Sequence, residues 1–157
     1  MTARRDDLTG IDDFLAQQAL APLLMSRLAL PMMRARRGGV IINIASDAAK
    51  VPTPGESMIG AAMAAIVTFT RTVAMEAKRD GIRVNALTPS LVEGTATAER
   101  ILREGFSAKL FSKAGSLAHL GVSTPADQAE LILFLASPET ARLTGQAISL
   151  NGGISAA

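Results

Sequence analysis

Hydrophobic and polar positions along this 157-residue chain alternate between two periods, and the switches between them mark its elements. After a polar lead, apolar residues recur at threes and fours over residues 11–35 (Phe14, Leu20, Leu23, Leu24, Leu28, Met32), which predicts a long helix with a possible kink at Pro22. Gly38 and Gly39 end it. The run GVIINIAS is apolar almost throughout and rich in β-branched residues, as a strand buried on both faces should be. A Pro-containing loop leads to a second helix over 56–78, followed by a turn at Asp80-Gly81, a strand over 82–87 and a proline stop. From 90 to 122 the pattern weakens to an excursion with one helix over 98–111. Thr124, Pro125 and Asp127 then start a helix with an apolar stripe of Leu131, Leu133, Phe134 and Leu135, and a third strand over 147–150 ends at Gly152-Gly153.

The helix over 56–78 is the anomaly. Between Met58 and Phe69 it carries no ionisable side chain, whereas a helix on a protein surface keeps a polar face. Strands separated by helices imply right-handed crossovers and a parallel sheet. The expected architecture is therefore α/β, a three-layer Rossmann-like arrangement with a partial parallel sheet of about three strands and flanking helices, forming one domain over 1–157.

Composition narrows the chemistry. Hydrophobic residues make up 48% of the chain and aromatics 3%, so the core is built from Ala, Leu, Ile, Val and Met. There is no cysteine and one histidine, His119, which disfavours thiolate or imidazole metal sites. A net charge of +2 does not argue for a nucleic-acid surface, and Arg34, Arg36 and Arg37 fall where a helix end favours cations. The segment ALAPLLMSRLALPMM is broken by Pro22, Arg27 and Pro31 and is too short to span a bilayer. Residues 1–10 do not have the pattern of a signal peptide. The expectation is a cytoplasmic protein with neither membrane nor nucleic-acid partner.

The order and spacing of GGVIINIAS, GIRVNALTP and TPADQAELILFLASPETARLTGQAISLNGG resemble the second half of the short-chain dehydrogenase/reductase fold: its fifth strand ending in the catalytic serine, its sixth strand and turn, and its last helix, last strand and double glycine. The resemblance implies NAD(P)-dependent carbonyl chemistry by a tyrosine acid, a lysine four residues later, a serine thirteen residues before the tyrosine, and an asparagine on the preceding helix. Ser46 matches the serine. The tyrosine position then falls on Ile59, the lysine position on Met63 and the asparagine position on Gln18, and the chain contains no tyrosine. Two apolar side chains cannot supply the general acid or its electrostatic tuning.

No strand and glycine-rich turn of the kind that cradles a pyrophosphate precedes the first helix. The sequence thus reads as a single SDR-like domain lacking the dinucleotide-binding half. Its expected character is a pseudoenzyme that binds no cofactor by itself, with NAD(P) confined to a partner subunit. Ser46, Gln18, Ile59 and Met63 are remnant positions only. Pro89, Ser90 and Thr95 lie where the family holds nicotinamide, a role not carried over here.

In the family, the helices matching 11–35 and 56–78 form the main subunit contact, and some members build mixed oligomers with a subunit that lacks catalytic residues. These two helices are therefore the expected contact with a homo-oligomer or an active dehydrogenase. The edge of the strand over 40–44, where the family places a further strand, is expected to be covered by a partner or by the N-terminal residues. Two alternatives remain: a homo-oligomeric binding or structural protein using the remnant pocket near Ser46 and Gln18 for a small apolar ligand, and a non-redox isomerase or lyase with Asp47 or Glu93 as base.

Overall fold

The computed structural model describes residues 10–103 and 105–156. The long first helix forms in three registers: α1 (Ile11–Leu15), a π turn (Ala16–Leu20) and α2 (Ala21–Ala35). Pro22, in the first turn of α2, has no N–H to give the preceding turn, and its ring crowds the carbonyl four residues back. The π turn lies directly before it and widens the helix where that bond is lost, so the chain changes register at this point. Arg37 then adopts φ 55, the left-handed conformation that closes a helix, and β1 (Gly39–Ile44) begins.

Three parallel strands follow in the order β1, β2 (Ile82–Leu87), β3 (Ala147–Ile148), with Gly39 opposite Ile82 through Ile44 opposite Leu87, and Ala86 opposite Ala147. Between β1 and β2 runs α3 (Ser57–Ala77). Its segment Ser57–Asp80 is long and apolar enough to cross a membrane by length and composition. Here it is the core helix of the fold: Ala62, Met63, Ile66, Val67, Val73, Ala74 and Ala77 are buried against the sheet and the first helix. The opposite row, Ala61, Ala65, Thr68, Thr72 and Met75, is exposed. Leu20 at the end of the π turn and Leu24, Leu28 and Met32 of α2 form an exposed row at four-residue spacing.

The other face of the sheet meets α6 (Pro125–Ala136), whose start is the expected one: Thr124 and Asp127 form a reciprocal capping box and Pro125 opens the helix. Its end is set by Arg83 of β2. That guanidinium donates to the carbonyls of Leu135 (2.8 Å) and Ser137 (3.1 Å) and to Thr140 Oγ1 (3.1 Å), placing a cation at the negative end of the helix.

Three expectations are corrected. The excursion holds two helices, α4 (Ala96–Leu102) and α5 (Gly105–Leu117), in place of one over 98–111; Gly105, at φ 89, begins the second. β3 stops after two residues because Ser149 turns toward Asp47 and Lys50. In the stripe of α6 only Leu135 is fully buried, while Leu133 and Phe134 are 70% and 54% exposed. The outer edge of β1 has no strand partner among the described residues, and Ile44 at its end is exposed. Covering of that edge by the N-terminal residues concerns positions 1–9, outside the described residues.

Candidate functional site

Ser46 lies just past the carboxyl end of β1. Its backbone is extended and its side-chain oxygen accepts the N–H of Ala48 at 3.3 Å, so it caps the short 3-10 turn Asp47–Ala49. Gln18 is half-buried in the π turn. Ile59 is half-buried on the first turns of α3, and Met63, one turn on, is 7% exposed. One apolar cluster joins all four segments: Ala19, next to Gln18, and Ala45, next to Ser46, pack with Met63 and Ile66, and Ile59 lies against them. Ile59 and Met63 thus belong to one cluster, and Gln18 and Ser46 are each one residue from a member of it. What fills that place is methyl and thioether surface.

Of the four side chains, the Ser46 hydroxyl and the Gln18 amide can hydrogen-bond, and neither titrates near neutral pH. Ile59 and Met63 can neither hold nor move a proton.

Next to Ser46 is a polar hub that sequence reading did not assemble. Asp47 is 5% exposed, and its carboxylate accepts from Ser149 Oγ (3.2 Å), Asn151 Nδ2 (3.3 Å) and Ser155 Oγ, while its N–H donates to the carbonyl of Pro89 (2.9 Å). Lys50 Nζ donates to Ser149 Oγ at 2.7 Å, and Ser149 also pairs with Thr88 Oγ1 at 3.0 Å. Burial pushes the Lys50 ammonium below its ordinary range, the Asp47 charge opposes this, and Arg71 adds to it. With both carboxylate oxygens engaged, Asp47 anchors residues 149–155 to the turn after β1. Glu93, the other candidate base, is exposed on the loop before α4.

The nicotinamide-region positions are also structurally engaged. Thr95 caps α4, accepting from the Ala98 N–H at 3.1 Å and donating to the Val92 carbonyl at 2.9 Å. His119 is exposed, and no group of three or more metal-ligating side chains occurs among the described residues. A missed residue is Glu56, whose carboxyl is pushed above the usual carboxylate range by burial. It lines a cleft of about 440 Å³ with Ala48, Thr53 and Gly60.

A dinucleotide needs a glycine-rich strand-to-helix turn around its phosphates. Among the described residues the turn from β1 to α3 carries Pro52 and Pro54, and the one from β2 to α4 carries Pro89; neither has that form. These residues do not fit the cofactor's phosphates, and Ile59 and Met63 offer no polar contact beside it.

Residues 4–155 match the family described as enoyl-(acyl carrier protein) reductase. The chain is 33% identical over 151 residues to 2-(S)-hydroxypropyl-CoM dehydrogenase 3 of Xanthobacter autotrophicus, covering 96% of this chain and 59% of that protein. It is 34% identical over 143 residues to the inactive 2-(S)-hydroxypropyl-CoM dehydrogenase 2 of the same organism, covering 90% of this chain and 62% of that protein. The solved structure of ElxO with NADP bound superimposes with a TM-score of 0.80 at 24% identity, over 96% of this chain and 60% of that one. The chain therefore spans about three fifths of the length of these relatives. With the strand order, the serine at the end of β1 and the match along nearly the whole sequence, this chain belongs to the short-chain dehydrogenase/reductase family, whose members are NAD(P)-dependent oxidoreductases.

Proposed function

We infer that this chain is a non-catalytic short-chain dehydrogenase/reductase subunit, a pseudoenzyme that assembles with an active member of the family and stabilises it. The observation that carries this reading is the pair Ile59 and Met63: an apolar cluster stands where the acid and its lysine belong, and the chain has no tyrosine. A relative of similar identity is itself described as inactive. In this reading NAD(P) is held by the partner and not by this chain.

The contact is proposed to run through residues 11–35 and 56–78. Its support is the exposed row Leu20, Leu24, Leu28 and Met32, with Met25 beside it at 67% exposure, together with the exposed row of mostly small residues on α3. Small residues permit close helix approach, and a leucine row supplies the ridge that fills the groove. Apolar rows of this kind on neighbouring helices mark contact surfaces more often than solvent-facing ones.

Native mass spectrometry of the tagged chain recovered gently from its own cells is the test. A mixed assembly with a full-length dehydrogenase is the expected result, and Leu24→Glu with Leu28→Glu should disperse it while leaving the helical signal intact. A stable monomer that brings down no dehydrogenase sinks the reading. A homo-oligomer alone favours the second reading, a self-associated binding or structural protein, because the same leucine row can pair with a copy of itself.

A further inference from the structure

The two exposed rows of the helix layer end the same way. The spacing Leu20, Leu24, Leu28, Met32 reaches Arg36, the last residue of α2's final turn, at its next step, and the α3 row through Thr72 and Met75 reaches Arg79 just past the helix end. Both arginines are exposed. Each helix leads into one of two parallel strands, so α2 and α3 run the same way and their C-terminal ends lie together. Arg34 and Arg37 bond Asp80 there at 3.2 and 3.3 Å, and Arg37 Nη2 donates to the Arg79 carbonyl at 3.2 Å.

These are the ion pairs among the described residues, so Arg36, Lys78 and Arg79 meet no carboxylate. That end of the layer holds five cations against the single acid Asp80, in a chain whose net charge is +2. The helix C-termini offset only part of this, about half a charge each. The far end of the first helix has the opposite character, with Asp12 and Asp13 exposed in its first turn.

Anything that lies along the two rows therefore finishes against unmatched positive charge. Nucleic acid would answer the charge but leave the leucines and methionines against a polar backbone. A helix running antiparallel to α2 and α3 answers both. Its apolar positions fill the rows, and its N-terminal turn, where its own dipole favours carboxylates, comes to the arginines. A second copy of this chain placed so brings Asp12 and Asp13, two acids for five cations, and a more acidic start fits better.

We propose that this surface selects its partner by charge, seating an antiparallel helix with an acidic first turn that is held by Arg36 and Arg79. The proposal rests on the contact surface inferred above and adds the direction and chemistry of the helix that occupies it. Exposed ion pairs are weak singly, so the leucine row supplies the affinity and the arginines the discrimination.

Two stapled helical peptides of about 20 residues are the probes. Both carry leucines at four-residue spacing; one begins with glutamates and the other with lysines. In fluorescence anisotropy with the full chain the glutamate peptide should bind about tenfold more tightly, the worth of a few surface ion pairs, and added salt should close the gap. Arg36→Glu with Arg79→Glu should reverse the preference, and Arg36→Gln with Arg79→Gln should abolish it, with circular dichroism checking that each variant keeps its helices. Should the variants fail to fold, the wild-type comparison of the two peptides decides alone. Equal affinity for the two peptides, an unchanged preference in the glutamine variant, or tighter binding to a short duplex DNA than to the glutamate peptide overturns the proposal. So does a chain that self-associates too tightly to admit the peptide. A dehydrogenase recovered equally with the wild-type and glutamate-variant chains sinks charge selection and leaves the assembly reading standing. Recovery of none sinks the assembly reading, and the peptides still decide charge selection.

Discussion

Asn43 Nδ2 donates to Thr70 Oγ1 at 2.9 Å, and the same amide accepts from Ser26 Oγ at 3.1 Å. All three side chains are buried, so a single residue of β1 fixes α2 and α3 relative to each other and to the sheet. A buried network of this sort is favourable only while every member is satisfied. Asn43→Leu leaves two hydroxyls without their partner and should lower unfolding free energy by about 2 kcal/mol. Urea denaturation checks this, and adding Ser26→Ala with Thr70→Val should recover part of the loss; a fully additive triple variant would mean the three do not act as a unit.

Arg83 offers a second test. Its planar fork reaches Leu135, Ser137 and Thr140 together, which a lysine ammonium on a single stem cannot do. Arg83→Lys should cost about 1 to 2 kcal/mol, the worth of a charge-assisted bond, and should raise amide exchange over Leu135–Thr140 more than elsewhere. Uniform loss of protection would show that the guanidinium does not act through the helix end.

Glu56 makes stability depend on pH. Burial raises its pKa in the folded chain, so the native state holds a proton that the unfolded chain has already released. Its contribution is therefore fully present below the unfolded carboxylate pKa and is lost as pH rises through the folded value. Relative to wild type, Glu56→Gln should gain stability above that window and show no difference in acid. Melting temperatures measured from pH 4 to pH 8, a range of about 4 units spanning the ordinary Glu pKa, check the slope; a difference of the opposite sign rejects the assignment.

Reinstating the family's acid and lysine should fail. Met63→Lys buries an ammonium among Ala19, Ala45 and Ile66, where desolvation opposes its charge. Ile59→Tyr with Met63→Lys is expected to melt well below wild type and to leave NADPH fluorescence unchanged. A stable double variant that binds NADPH would remove the pseudoenzyme reading.

Local rules carried much of this structure into view. The 82–87 strand matches to the residue, and the Thr124, Pro125 and Asp127 start matches to the cap. Each depends on neighbours in sequence or on a fixed period. The misses have the opposite character. Pro22 signals a helix disturbance, but a period count does not tell a kink from the π turn that forms before it. Leu133, Phe134 and Leu135 are consecutive and point about 100° apart on a helix, so α6 turns only Leu135 of the three fully inward. The anchoring role of Asp47, named above only as a candidate base, and the burial of Glu56 were not legible for another reason: the partners of the first come from residues 149–155, far along the chain, and the second is buried by tertiary contacts. Gly105 was the one readable signal passed over, a glycine at the break between α4 and α5.

The Asp47 anchor also sets a timetable. Its three side-chain donors come from Ser149, Asn151 and Ser155, separated from it by 102, 104 and 108 residues. Contacts this distant in sequence close late, after the nearer pairing of β1 with β2 has paid its own loop entropy. On the ribosome, then, the turn that carries Ser46 cannot settle until residues 149–155 have emerged, and until that moment the nascent chain holds an unfinished loop above a finished strand pair. The helices over 21–35 and 57–77 are therefore in place before the turn beside Ser46 is.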